Sequence, residues 1–332
     1  MKRLGGFALA VELVAAWLAT HPETTYAQFA EGLGLEDLEA IADSDDVELR
    51  RHNHQRRLSA VLGPVLEELR PAERRALEYA ACLPPDLVPL PWLQTLVTQD
   101  FPEVSQRSRL SDPWSDLCRR LVRMALFQRV EEETTDQRLV RVHRLVQDLV
   151  RRELDAATIA ERQQSLQTLI EARVGVLEQT TRWQDARWEL EPLDALADLW
   201  AETGHERASL LLSQVATRWH VLAERTRAEP LMCRALAIDE QSYGVEHPLV
   251  ASVLNNLAAL LQATNRLAEA EPLLRLALVI LFEFKLRTQH EHPNHSLFSG
   301  NYSRLLQAMG MSDAEVHERL NDLLGEYGMS LG

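Results

Sequence analysis

Three imidazoles close together, His290, His292 and His295, have the spacing of a metal-binding cluster. Structural zinc sites take four ligands, usually with Cys among them, and no Cys accompanies the three. His292 also belongs to a Glu-His-Pro element that occurs earlier as Glu246-His247-Pro248, where no second His is near. No metal is therefore assigned. His52 and His54 lie in an Arg-rich run and lack a third ligand. No Ser/His/Asp or Cys/His combination supplies a nucleophile with its base, and no carboxylate pair falls outside the expected helix surfaces. The chain reads as non-catalytic, without a cofactor. Four side-chain amides remain: Gln214, Asn255, Asn256 and Asn301. An amide both donates and accepts, so it matches the two polar groups of a peptide bond.

The elements that position these amides are repeated. Ala228-Glu229-Pro230-Leu231 returns 42 residues later as Ala270-Glu271-Pro272-Leu273, and Ala235, Leu236 and Ile238 return as Ala277, Leu278 and Ile280. Glu246-His247-Pro248 returns as Glu291-His292-Pro293, three residues late. Asn256 and Leu260-Leu261-Gln262-Ala263 then return as Asn301 and Leu305-Leu306-Gln307-Ala308 in that shifted register. Two blocks recurring in one order mark a repeat array. Each unit reads as two helices. Pro248 suits a first helical turn, and Val250, Leu254, Leu257 and Leu261 follow at helical spacing. Asn265-Arg266 makes the turn, and the Ala-Glu-Pro-Leu segment is expected to start the second helix. Subtracting 42 carries Asn256 onto Gln214, and adding 45 carries it onto Asn301. The amides are thus expected to form a ladder on one face of the first helices and to grip a peptide. The competing account is that Asn256 braces an adjacent helix.

These motifs resemble the long tetratricopeptide repeat of kinesin-light-chain type over roughly residues 208–325. The third unit departs from that pattern: Phe282 to Leu286 is expected to lengthen its linker, and Gly300-Asn301-Tyr302 replaces Asn-Asn-Leu. Ser312 with Glu315 has capping-box spacing, which predicts a last helix beginning there.

Composition bounds the rest. The chain has 332 residues, 46% hydrophobic and only 6% aromatic, with 13 Gly and a net charge of −15. That favours helices over sheets and opposes general nucleic-acid binding, which needs a basic surface. The three cysteines lack metal-ligand spacing and suggest a reduced, cytoplasmic compartment. Leu4 to Ala19 imitates a signal peptide, but Glu12 interrupts it and no cleavage site follows. It is also too short and charged to span a bilayer.

Towards the amino terminus, helices are expected at 7–19 and from Tyr26 to Leu38. Asp43 to Asp46 marks a polar break before the basic run Arg50 to Arg57, read as a solvated face. Between Leu58 and Leu154 the pattern is four helical stretches, a β-hairpin and a closing helix with Leu145, Val146, Leu149 and Val150 on one face. The helices are Val61–Leu69, Ala72–Cys82, Trp92–Thr98 and Trp114–Ala125, the strands Leu126–Val130 and Leu139–Val142. This order resembles the winged helix that follows the ATPase core in NB-ARC signalling proteins, and Gly5-Gly6-Phe7-Ala8-Leu9-Ala10 resembles that family's G-L-P-L-A-L segment. The chain has Ala8 where the family has Pro, and it lacks any G-x-x-x-x-G-K-[ST] phosphate loop. It is therefore expected not to hold ATP. The resemblance would give His143 a nucleotide-sensing role if a phosphate-loop core were supplied; a plain strand-to-helix junction residue is the alternative. Arg119, Arg120 and Arg123 on the candidate recognition helix suggest DNA, while Asp112, Asp116 and Glu131 to Glu133 would repel it.

The expected fold is mainly α, a winged-helix domain followed by an α-solenoid of tetratricopeptide repeats. The expected divisions are an NB-ARC-type helical remnant (1–45), the winged helix (46–155), a helical spacer (156–207) and the repeats (208–332). The expected function is a protein-interaction module that binds a peptide or protein partner on the concave face, with no membrane and no nucleic acid. Two alternatives stand: the regulatory half of a truncated or split NB-ARC ATPase whose nucleotide-binding core is encoded upstream, and a winged-helix transcription regulator.

Overall fold

The computed structural model describes residues 8–32, 59–109, 111–129, 138–180, 187–325 and 327. They fall in two compact units, 1–179 and 180–332. The Gly5-Gly6-Phe7 opening, the Asp43 to Asp46 break, the Arg50 to Arg57 run with His52 and His54, and the Glu131 to Gln137 turn lie outside the described residues.

The first unit begins with α1 (Ala8–Thr20), α2 (Tyr26–Gly32) and α3 (59–67). There follow α4 (Pro71–Ala80), β1 (Val88–Pro89), α5 (Leu90–Asp100), a 3-10 turn (Pro102–Ser105), α6 (Pro113–Arg123), β2 (Gln128–Arg129), β3 (Leu139–Arg141), α7 (Arg144–Glu153) and α8 (Ala156–Gln179). Proline opens α4 and α6, where its missing N–H forgoes nothing. Asp112 accepts from Ser115 N at 3.2 Å as the cap of α6. The sheet is antiparallel with order β1-β3-β2. Strand β1 is an element that periodicity does not reveal, because two residues after a Pro-rich bend carry no pattern.

Side chains of α7 finish α4. Gln147, only 2% exposed, donates to the carbonyls of Ala80 (2.7 Å) and Leu83 (3.0 Å), and Arg151 donates to Ala81 O at 2.7 Å. Those are carbonyls that a helix end leaves without partners. The long helix α8 is fixed to α4 by Arg162, 4% exposed, which donates to Glu78 at 3.1 Å and lies 5.4 Å from the Tyr79 ring centre.

The second unit has a 3-10 turn (Arg187–Glu189) and seven described helices: α9 (Leu190–Thr203), α10 (Ala208–Val221), α11 (Arg225–Tyr243), α12 (Pro248–Ala263), α13 (Leu267–Thr288), α14 (His295–Ala308) and α15 (Asp313–Gly325). Helices α10 and α11 pack as one hairpin, α12 and α13 as the next, and α11 packs on α12 as α13 packs on α14. The first helices also touch each other, α10 against α12 and α12 against α14. Ala223, Asn265 and Gly310 make the turns inside the hairpins, all at positive φ (63°, 59° and 97°) and all in the repeat register. Gly204, Gly244 and Gln289 turn the chain between second and first helices in the same way.

The tetrapeptides do not start the second helices. Helices α11 and α13 begin at Arg225 and Leu267, three residues earlier, and carry Pro230 and Pro272 inside. A proline so near the start forgoes one backbone bond, and the turn closes earlier because Ala223 and Asn265 already reverse the chain. The expected linker in the third unit is also helix. Helix α13 is 22 residues long against 19 for α11, and Phe282, inside the expected linker, is 1% exposed. Pro293 does not open α14, which starts two residues later at His295. The capping box before α15 is present, with Ser312 N donating to Glu315 at 2.8 Å and Glu315 N to Ser312 Oγ at 3.4 Å.

Candidate functional site

Helical periodicity puts Leu210, Gln214 and Val221 on one side of α10, Ser252, Asn256 and Ala263 on one side of α12, and Leu297, Asn301 and Ala308 on one side of α14. The opposite sides carry the core, including Leu212 and Val215, Leu254 and Leu261, and Tyr302 and Leu306. Gln214, Asn256 and Asn301 are half-buried, while Leu210 and Leu297, one turn earlier in the same register, are 44% and 55% exposed.

The structure brings three of the four amides together. Asn301 Nδ2 donates to Asn255 Oδ1 at 2.7 Å, and Asn255 Nδ2 lies 3.4 Å from Asn256 Oδ1. Arg304 donates to Asn301 Oδ1. A hydrogen-bonded row thus runs Arg304, Asn301, Asn255, Asn256 across α14 and α12. Asn255 is 6% exposed and spends its acceptor on bracing one first helix to the next. Gln214 is outside the row, since its register neighbour is Ser213 rather than an amide; the Ser213 hydroxyl points to Met232 Sδ at 3.5 Å.

No Asp or Glu occurs anywhere in α10, α12 or α14, in a chain with 50 acidic residues. Their charged side chains are Arg218 and Arg304. The acid of the array sits on the second helices, where it links consecutive hairpins. Glu229 accepts both ways from Arg266 Nη1 at 2.8 Å, and Arg266 also reaches Glu269. Glu271 accepts from Tyr302 at 2.7 Å, and burial, with that carboxylate, pushes the phenol up to about 12. Glu191 lies 3.4 Å from Arg227. Glu191 stands in Leu190-Glu191-Pro192-Leu193, a third copy of Glu-Pro-Leu whose use the tetrapeptide comparison missed; its signal was the proline.

The remaining candidates are placed as follows. His143 precedes α7, and its Nδ1 accepts from Leu145 N at 3.2 Å while its carbonyl accepts from Val146 N at 2.8 Å. Arg120 is turned inward, donating to Glu68 O at 3.0 Å with Glu73 at 3.4 Å, and Arg119 pairs with Asp116 at 2.9 Å. His295 Nδ1 lies 3.0 Å from Glu291, and among the described residues no group of three or more His, Cys, Asp or Glu is placed to hold a metal ion. Burial pushes the Cys82 thiol up to about 11 and the Cys118 thiol to about 12, so both stay protonated and poorly nucleophilic at neutral pH. Among the described residues no helix is long and apolar enough to cross a membrane.

No curated protein matches the chain. Residues 221–281, from the end of α10 through most of α13, match the family model of the tetratricopeptide repeat. The chain therefore contains tetratricopeptide repeats, which in general mediate contacts between proteins.

Proposed function

We propose that this chain is a non-catalytic interaction module, and that an extended peptide or a partner's exposed segment lies along the concave face formed by α10, α12 and α14. The observation that carries this reading is the set of in-register amides on helices that hold no acidic residue. Gln214 and Asn256 offer their amides to the ligand backbone, Asn301 lies at one end, and buried Asn255 holds the row rigid. Leu210 and Leu297 supply apolar contact at the helix starts. Absence of acid on these helices lessens the repulsion that the −15 charge would otherwise impose on an anionic segment. The test is a peptide selected from a random display library on the full chain, its affinity measured by fluorescence anisotropy. Asn256→Ala should weaken it by about 5- to 150-fold, which corresponds to about 1–3 kcal/mol for an amide left unmatched, with little change in melting temperature. A sharp fall in melting temperature with unchanged affinity would make the amide structural and end the ladder.

The array of this reading extends one helix towards the amino terminus. Helix α9 packs on α10 as a second helix packs on the next first helix, and it carries the Glu-Pro-Leu copy. We place the array's first second-helix there, inside the segment 156–207 that the sequence presents as a spacer.

A second reading rests on the first unit. Its order of helix, strand, two helices and two strands, with sheet order β1-β3-β2, supports a winged-helix domain over 46–155 and, with it, kinship to the regulatory part of NB-ARC proteins. His143 would then face a nucleotide only in an assembly that supplies a phosphate-loop core, and a reading frame encoding one immediately upstream would favour this. DNA binding is the weaker use of the domain, because Arg120 is committed to Glu68 and Glu73. Loss of a DNA mobility shift on Arg123→Ala would revive it.

A further inference from the structure

One local arrangement occurs at or just before the start of every first helix, directly at α12 and three residues ahead of α10 and α14. His205, His247 and His292 are in register, 42 and 45 residues apart. Each accepts through Nδ1, at 3.2 Å, the backbone N–H two residues on: Arg207, Leu249 and Asn294. Each also accepts through its carbonyl the N–H three residues on, from Ala208 (3.0 Å), Val250 (2.9 Å) and His295 (2.9 Å). Each ring rests on an aromatic side chain of the preceding second helix. His205 stacks on Trp200 at 4.2 Å, His247 on Tyr243 at 4.8 Å, and His292 meets the edge of Phe284 at 5.5 Å. The repeat comparison exposes only the last two, because Pro accompanies them; His205 stands in Gly204-His205-Glu206 and is recognised by its hydrogen bonds.

An imidazole can fill this role in one protonation state. The Nδ1 lone pair must be free and the mobile proton must sit on Nε2. Protonation puts an N–H where the helix already presents one, and it sets a positive charge against the positive end of the helix dipole. A cap of Ser, Asp or Asn type keeps its acceptor down to far lower pH. We propose that the three in-register histidines are an acid-sensitive set of turn locks, His247 as the cap of α12 and His205 and His292 in the turns that lead into α10 and α14, which loosens the starts of the three helices together on mild acidification.

The groups around each ring modulate this without replacing it. Burial holds the proton affinity of His205 below the ordinary value, and Glu206 and Arg207 act on it in opposite directions. His247 has Glu246 beside it, Asp239 of α11 within electrostatic reach, and Arg287 of α13 lining the same hollow. His292 follows His290 and Glu291, and Glu291 is already shared by Lys285 of α13 (3.5 Å) and His295 of α14 (3.0 Å). Glu206 pairs with Arg207 at 3.8 Å, Glu291 is shared with Lys285 and Asp239 is hydrogen-bonded by Ser209, and the lone pair remains the group that decides. For His205, whose proton affinity burial holds down, linkage fixes the sign: stability is full above the ordinary imidazole range near pH 6.5 and diminishes below it.

The test compares the full chain with the triple substitution His205→Asn, His247→Asn, His292→Asn, which keeps an acceptor at each turn but removes the titration. Between pH 7.5 and pH 5.5 the melting midpoint of the array should fall by roughly 6–12 °C more in the wild type than in the variant, for three such locks in a unit of this size. Amide exchange in peptides covering 206–213, 248–254 and 293–299 should accelerate at pH 5.5 only in the wild type, after correction for intrinsic rates. Equal pH dependence in the two proteins overturns the proposal. Should the variant fail to fold, imidazole nitrogen shifts of the wild type decide. Unprotonated Nδ1 at pH 7.5 at all three positions, with joint protonation and loss of protection below, supports the device; a proton on Nδ1 at pH 7.5 at any of them overturns it.

Discussion

The two units are held together by different kinds of long-range contact. In the array, three links that hold second helices span nearly constant intervals, 36 residues for Arg227 to Glu191, 36 for Arg234 to Asp198 and 37 for Arg266 to Glu229. Asn301 to Asn255 spans 46 and Tyr302 to Glu271 31. The first two links join α11 to α9, and the others join one hairpin to the next. In the first unit the spans are 116 for Gln128 to Glu12, 84 for Arg162 to Glu78, 67 for Gln147 to Ala80 and 52 for Arg120 to Glu68. Each is used once. A solenoid is stabilised by a sum of neighbour terms, so damage to one link stays local. A unit closed by single contacts has no such redundancy.

The largest expected effect of that difference is at Arg162. Its guanidinium is buried with Glu78, and removing one member of a buried pair costs about 3–5 kcal/mol. Glu78 keeps Arg75 at 3.1 Å and Arg74 at 3.7 Å, which puts Arg162→Ala towards the lower end, about 3 kcal/mol. Differential scanning calorimetry should give two transitions, of which only that of residues 1–179 moves. A shift of both transitions would mean that the units do not melt independently and would remove the contrast.

A middle-sized effect is expected in the array. Asn255→Ala takes the acceptor from Asn301 and leaves its amide N–H without that partner, at a cost of about 1–3 kcal/mol. It is the structural counterpart of Asn256→Ala, one residue away on the same helix: Asn255 should lower the stability of the array, Asn256 should lower affinity. Urea titrations of both variants, followed by exchange of the α12 and α14 amides, separate them. Equal stability losses would mean that the row is a single brace with no face reserved for a ligand.

The same contrast decides what the sequence makes legible. The hairpins, the capping box at Ser312 and the register of Gln214, Asn256 and Asn301 are readable because repetition displays each requirement more than once. The start of α11 is not, since Ala223 does the turning and no rule marks an alanine for a positive φ. Strand β1 is hidden because its partner, β3, lies about 50 residues away and two residues have no period of their own. The site divides along the same line. Register alone suggests three equivalent amides, yet Asn301 bonds to Asn255 rather than standing apart, because its neighbour Gly300 and the neighbour of Gln214, Ser213, leave Asn255 as the sole amide at that second position. His205 escaped notice for a related reason: the Pro that flags His247 and His292 is missing, and only the hydrogen bond to Arg207 N restores it to the set.

The smallest effect concerns the hairpin turn, where the three units hold three different residues in one conformation. Ala223 has φ 63°, Asn265 59° and Gly310 97°. An L-residue with an ordinary Cβ pays about 1–2 kcal/mol for the left-handed region, Asn somewhat less and Gly nothing. Glycine in turn gives back about 0.5–1 kcal/mol through the freedom of the unfolded chain. The difference makes Ala223→Gly stabilising by about 0.5–1 kcal/mol, a rise of about 1–4 °C in the array's melting midpoint. Gly310→Ala should move the midpoint the other way. A Cβ built on Gly310 meets nothing within 4 Å, so any loss there comes from the backbone and not from a clash. Opposite signs for the two substitutions would establish that the turn conformation, and not the side chain, is what the register conserves. If both lower the midpoint, Ala223 contributes packing that outweighs its strain, and the turns are not equivalent.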